Sequence, residues 1–245
     1  MMTSEQTVLV CAGLLVVSFL YSSVGHAGAS GYIAVMALAG LQTSFIRPTA
    51  LILNIFVASL STWQFYRAGH FRWRLFWPFA LLAVPCAFLG GYLSLPVRTF
   101  KILVGIVLLF SAVRFLMRQK PEGEPTAPKL RVSLPVGGAL GFLSGITGTG
   151  GGIFLTPLLI FMKWARTKTA SATSALFILV NSISGLGGNV SSTKSVPTMI
   201  APLIGTVLIG GSVGSYLGSR KFSPEIIKKF LACVLLIAGF KLIFT

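Results

Sequence analysis

The chain has 245 residues, 54% of them hydrophobic and 10% charged, with a mean hydropathy of +0.87. Soluble domains carry about 25% charged residues, so this composition cannot dress a water-facing surface and excludes an ordinary soluble enzyme or binding module. Twenty Lys and Arg stand against four acids, all Glu; among apolar runs that excess reads as topogenic charge on cytoplasmic loops, not as a nucleic-acid surface.

In chain order, apolar elements are predicted at 7–24, 30–46, 49–65, 75–95 and 99–117, then at 132–147, 152–162, 169–188, 196–218 and 226–244. Most approach the ~20 residues that a spanning helix needs. The second is interrupted by small residues and the seventh is short, so eight to ten segments cross. The first run is not a cleavable signal, because its flank carries Glu5 and no Lys or Arg. Met117 to Arg131, with its prolines and charges, cannot sit in hydrocarbon. Residues 118–131 therefore read as a cytoplasmic linker between a first half, 1–117, and a second, 132–245.

Placing the N-terminus outside puts most of the basic residues, Lys163, Arg166 and Lys168 among them, on the cytoplasmic side. Arg47, Arg98, Lys101, Lys194 and Lys241 fall on the other. Both termini are then periplasmic in a bacterial inner membrane.

The halves repeat. At an offset of 120, Gly25, Gly28 and Gly31 align with Gly145, Gly148 and Gly151, and Ile33 with Ile153. Further on the offset becomes 124, pairing Gly90 and Tyr92 with Gly214 and Tyr216. Five elements per half is an odd number, so the second half enters from the opposite side. The fold expected is an all-α integral membrane protein of two inverted-topology repeats, an architecture of secondary transporters.

The run Thr147-Gly148-Thr149-Gly150-Gly151-Gly152 has too little helix propensity for the middle of a span. The element after it is about 16 Å long, half the ~30 Å hydrocarbon core, so its N-terminus is expected near the midplane as an anion site. Gly25, His26, Gly28, Ser30 and Gly31 would present a second such end. The competing reading is close helix packing, which is the one expected for Gly137, Gly141, Gly145 and for Gly210, Gly214, Gly218 at GxxxG spacing. Asn54, Thr173, Ser174 and Asn181 either donate to an oxyanion or bond between helices. No Glu falls inside a span, so His26 is the titratable group near the expected cavity. It either changes charge during transport or packs as a neutral residue in a turn.

Two stretches carry a family likeness: Gly141-Phe-Leu-Ser-Gly-Ile-Thr-Gly-Thr-Gly-Gly-Gly-Ile-Phe-Leu-Thr-Pro157 with Lys168-Thr-Ala-Ser-Ala-Thr-Ser174, and its counterpart Val24-Gly-His-Ala-Gly-Ala-Ser-Gly31. With the tail Gly214-Ser-Tyr-Leu-Gly-Ser-Arg220, they resemble the sulfite exporter TauE/SafE family of membrane permeases over essentially the whole chain. The resemblance implies sulfite, sulfonates or other small sulfur-containing anions as cargo. His26 and Ser30 depart from the family's usual glycine run.

The expected partners are a small anionic solute and the lipid bilayer, with no nucleic acid; assembly as a homo-oligomer stays open. No catalytic residue, metal site or cofactor is expected: Cys11, Cys86 and Cys233 lack ligand spacing, and no Walker A sequence is present. The simplest function is facilitated export of the anion, helped by an inside-negative potential. A carrier for a different solute, or a membrane assembly subunit without cargo, are the alternatives.

Overall fold

A computed structural model describes residues 4–93, 123–193 and 200–244, together with 108–110, 112, 113, 116 and 197. Most of the predicted fifth element, the start of the linker, and Arg98, Lys101 and Lys194 lie outside the described residues. Among the described residues the protein is all-helical, with no strand. The helices are α1 (Ser4–Ser23), α2 (Ala29–Leu38), α3 (Thr43–Arg67), α4 (Trp73–Tyr92), α5 (Leu130–Thr147), α6 (Gly152–Phe161), α7 (Thr167–Thr193), α8 (Ala201–Tyr216) and α9 (Pro224–Phe244). A π-helical turn, Leu217–Lys221, continues α8. Six of these segments are long and apolar enough to cross a membrane, whereas α2 and α6 are short.

The sequence places Arg47 and Pro48 in a loop. Instead both lie inside α3, in its second turn, where the proline forgoes one helical hydrogen bond and the helix continues. At 25 and 27 residues, α3 and α7 are the longest helices among the described residues, about 38 and 40 Å.

The two short helices do not cross alone. In the first half Gly31 lies against Val17 and Tyr21, and Gly13 against Val35, so α2 runs back along α1. In the second half Gly151 lies against Leu140 and Ser144 of α5, and the carbonyl of Lys163 accepts a 2.9 Å bond from Thr126 N–H, just ahead of α5. Each pair, α1–α2 and α5–α6, enters and leaves on one side as a helical hairpin. Counting each hairpin as two crossings or as none leaves the sidedness of everything after it unchanged.

The backbone corrects the repeat register at the hairpin tips. Left-handed φ values occur at Gly25, Gly28 and Gly40, and again at Gly148, Gly151 and Lys163, each pair 123 residues apart. The offset of 120 read from the sequence is one glycine step short. Glycines recur every three residues in both tips, so the two registers look alike as letters, and only backbone conformation separates them.

Packing exchanges the fourth helix between halves. An apolar core joins α1, α2 and α3 to Leu203 and Val207 of α8; another joins α6 and α7 to Leu75, Phe76, Phe79 and Ala83 of α4. Glycine stripes seal both exchanges. A Cβ on Gly137, Gly141 or Gly145 of α5 would strike the carbonyl of Phe79, Ala83 or Ala87, and one on Gly210, Gly214 or Gly218 would strike that of Leu15, Phe19 or Ser23. The rising numbers on both sides show that α4 runs parallel to α5, and α1 to α8. This is the packing reading expected for these glycines: small residues let backbones touch where lipid gives no hydrophobic drive.

Gly141→Leu should therefore push α4 off α5 and destabilise the protein by about 3 kcal/mol, seen as a Tm in detergent lower by roughly 6–12 °C. Gly205→Ala, where nothing lies within 4 Å of the added carbon, should leave Tm unchanged or slightly raised. Equal effects of the two substitutions would contradict the stripe.

Candidate functional site

The tips of the two hairpins meet at the middle of α3 and α7. Asn54, twelfth of the 25 residues of α3, holds them together: its Oδ1 accepts from the N–H of Ala29, the first residue of α2, at 3.0 Å. Its Nδ2 donates to the carbonyl of Thr149 in the other tip (3.4 Å) and to Ser182 Oγ on α7 (3.2 Å). One side chain thus serves a helix N-terminus in one half and a loop carbonyl in the other. Gly150 lies under this amide, and a Cβ there would come within 2.8 Å of Asn54 Nδ2 and 3.0 Å of Ser182 Oγ.

His26 makes the reciprocal link. Its Nε2 lies 2.9 Å from the carbonyl of Gly152, at the start of α6, and 2.9 Å from Thr156 Oγ1. A carbonyl only accepts, so Nε2 carries the hydrogen and Nδ1 is a bare acceptor, buried and without a hydrogen-bond partner. Thr156 passes the chain on by donating to Ser174 Oγ at 2.7 Å. His26, Asn54, Thr156, Ser174 and Ser182 are all at most 1% exposed: the cluster is closed to both sides.

The structure thus brings together His26, Asn54, Thr149, Gly150, Gly152 and Ser174 of the residues singled out from sequence. Others serve the scaffold. Gly28 and Gly151 are the left-handed N-caps of α2 and α6, and Gly148 is the C-cap of α5. Gly25 abuts the backbone of Ser171, and Gly31 packs on α1. Thr173 bonds back to Thr169 O (2.8 Å). Thr147 bonds to Leu143 O (2.7 Å) and to Thr149 Oγ1 (2.8 Å). Ser30 donates to Tyr21 OH at 2.9 Å, and Tyr32 OH donates to Ala27 O. Asn181 is fully buried with neither amide atom partnered. Its neighbour Ser182, about 100° round the helix, takes the contact with Asn54. Thr156 and Ser182 escape a sequence reading because a lone hydroxyl in an apolar helix gives no signal of its own.

Cations stand at the two ends of this arrangement. Arg47, one turn or so inside α3, donates to Gly90 O (3.0 Å), Gly91 O (3.2 Å) and Leu93 O (3.4 Å) at the end of α4, and to Gly145 O (2.5 Å) near the end of α5. Its Cγ lies 3.1 Å from where a Cβ on Gly148 would stand. At the far end of α3, His70 Nε2 donates to the carbonyl of Ser219 in the π turn (3.0 Å), and Lys168 Nζ donates to the same oxygen (3.3 Å).

A multi-pass helical membrane protein with two broken hairpins meeting at mid-depth is built as a membrane transporter. The chain belongs to the sulfite exporter TauE/SafE family, whose profile matches residues 9–242. It is 38% identical over 233 residues to a probable membrane transporter protein y4hK of Sinorhizobium fredii, covering 93% of this chain and 94% of that one. It is also 25% identical over 250 residues to YjnA of Bacillus subtilis, covering 94% and 96%, and 23% identical over 217 residues to YunE of the same organism, covering 80% and 79%; both are named probable membrane transporter proteins. No solved structure matches the chain.

Two outcomes follow from this geometry. Asn54→Leu strands the Ala29 N–H and the Thr149 carbonyl, at about 1–3 kcal/mol for each buried group left unpaired; thermal unfolding should show the loss, and amide exchange at Ala29 should rise. His70 lies outside the spans, and burial holds its pKa below the ordinary value, with Lys168 pushing the same way against the Ser219 bond. The unfolded chain then binds the proton first, so His70 contributes stability that is lost as pH falls below about 6.5. His70→Gln should flatten that part of the Tm–pH curve.

Proposed function

We propose that the protein is a carrier for small sulfur-containing anions, sulfite or organic sulfonates, that exports them across the bacterial inner membrane. The observation carrying this reading is the meeting of two half-helix N-termini, at Ala29 and Gly152, inside one buried set of neutral donors on α3, α6 and α7. Helix N-termini attract anions, and hydroxyl and amide donors bind without the permanent counter-charge that would hinder release. The family match supports a sulfur anion as the cargo.

The halves work as inverted repeats, residues 1–117 and 132–245 joined by the linker. Support comes from the packing. Exchanging the halves turns the α1·α8 contact into α5·α4, and α3·α8 into α7·α4, while α3·α7 maps onto itself. Such a pair can rock about the Asn54–Ser182 contact and open to alternate sides. The basic loops point the linker, His70 and Lys168 to the cytoplasm and both termini to the periplasm. Gly25, Gly28, Gly31, Gly148 and Gly151 shape the tips, while His26, Ser30, Asn54, Thr147, Thr149, Thr173, Ser174 and Asn181 supply polar groups along the path. The free Nδ1 of His26 is the place for a proton if the cargo moves with one. With no acid in the cluster, an inside-negative potential is the driving force.

The test is flux of labelled sulfite in proteoliposomes at clamped potentials and pH. Saturable, potential-dependent flux should fall at least about tenfold in Asn54→Ala. The pH profile should flatten in His26→Gln if that nitrogen takes a proton. No flux above empty liposomes from folded protein retires sulfite, and thiosulfate, sulfonates and neutral solutes are then compared in the same vesicles.

A further inference from the structure

The geometry points to Arg47 and Lys168 as the two gate latches of the carrier, one closing each mouth. They occupy related places, each in the opening turns of the third helix of its half, and each donates to carbonyls at the end of the fourth helix of that same half: Arg47 to Gly90, Gly91 and Leu93, Lys168 to Ser219. Because α4 has been exchanged into the other bundle, and α8 likewise, each bond ties one bundle to the other. Arg47 also reaches across to Gly145 at the end of α5.

The latches face opposite ends. Arg47 lies near the start of α3, and His70, which shares the Ser219 carbonyl with Lys168, follows its end. Between them lies α3 from Arg47 to Arg67, about 30 Å, with Asn54 roughly a third of the way along. Arg47 lies against one hairpin tip, at Gly148, and Lys168 stands one helical turn from the other, where the tip glycine Gly25 abuts Ser171.

Among the described residues, both are cations held by carbonyl oxygens alone. The chain's acids, Glu5, Glu122, Glu124 and Glu225, lie in none of α3, α4, α5 or α7. Carbonyl dipoles at helix C-termini attract a cation without neutralising it. A free anion entering the mouth offers full charge and a bidentate partner for the Arg47 fork, so it competes for the latch that bars its way. Arg47 is also half-buried, with Nε lacking a partner, and so has a donor in hand for the incoming group. The Lys168 mouth differs in kind: a single ammonium and a histidine share one oxygen, a weaker hold than a fork on four. These are positioning residues; the inference rests on the carrier reading above, and on the sulfur anion only for what pulls the latch.

The test uses the full-length protein with Cys11, Cys86 and Cys233 replaced. A reporter cysteine is placed at Thr149 or at Ser171, and labelling by a membrane-impermeant thiol reagent is measured from each side of oriented vesicles. Arg47→Gln should speed labelling at 149 by about tenfold from one side only, as when a minor open state of about 1% rises to about 10%. Lys168→Gln should do the same at 171 from the opposite side. Arg47→Lys, which keeps charge but loses the fork, should give a smaller rise, and it decides the matter if the glutamine variant does not fold. Unchanged rates in both Arg47 variants with folded protein, or opening to the same side for Arg47 and Lys168, would overturn the latches. Millimolar methanesulfonate, which does not consume the reagent, should speed labelling at 149 when Arg47 is intact. If the variants open opposite sides and methanesulfonate does nothing, the latches stand and the sulfonate cargo falls.

Discussion

Backbone at membrane depth has to find its hydrogen bonds inside the protein, because hydrocarbon supplies none. Two turns of this chain, 24–28 and 148–151, leave helical geometry where that demand is strict. Asn54 and His26 answer it with one side chain each: an amide serving an N–H of one turn and a carbonyl of the other, and an imidazole bonded to the first carbonyl of α6. The same groups that stabilise the broken backbone are those the proposed anion would meet. On that proposal stability and binding draw on one set of donors, and the cargo has to replace bonds that the empty protein makes to itself.

The glycine stripes decide which parts can move. Where α4 lies on α5, and α1 on α8, the glycines bring backbone against backbone, with only the small hydroxyls of Ser18 and Ser22 beside the second seam, and sliding there would break these close contacts. These seams are stiff. The α3·α7 contact at the centre is made through side chains, among them Asn54 and Ser182, and side chains can change partners. The molecule is thus divided into two firm bundles with a softer join, and the polar cluster lies in the join.

Much of this was legible in the letters. The spans that fall among the described residues, the short seventh element, the breaks at the glycine runs and the packing stripes follow from hydropathy, propensity and spacing. What failed did so for identifiable reasons. Arg47-Pro48 looks like a loop because charge and proline both argue against a span, and only the carbonyls of α4 and α5 make the helix through them tolerable. The repeat register slipped by one glycine step because a three-residue glycine spacing matches itself when shifted. The letters single out Asn181, an amide, and give no sign of the hydroxyl of Ser182 beside it. Which of two neighbours faces α3 depends on helix rotation, and that is set by packing against Gly145 and Gly91 at Gly185.

The stripes do not obey the symmetry of the helices they join. In one seam the glycines are on α5, the first helix of its half; in the other they are on α8, the fourth helix of that same half. Both three-glycine stripes therefore come from the second half, and the first half meets them with the carbonyls of Phe79, Ala83 and Ala87 on α4 and of Leu15, Phe19 and Ser23 on α1. Two copies of the first half would lack both stripes, and with them the contacts that let backbone approach backbone at these crossings. At these two crossings each part of the chain presents what the other lacks, so the seams are built between unlike surfaces.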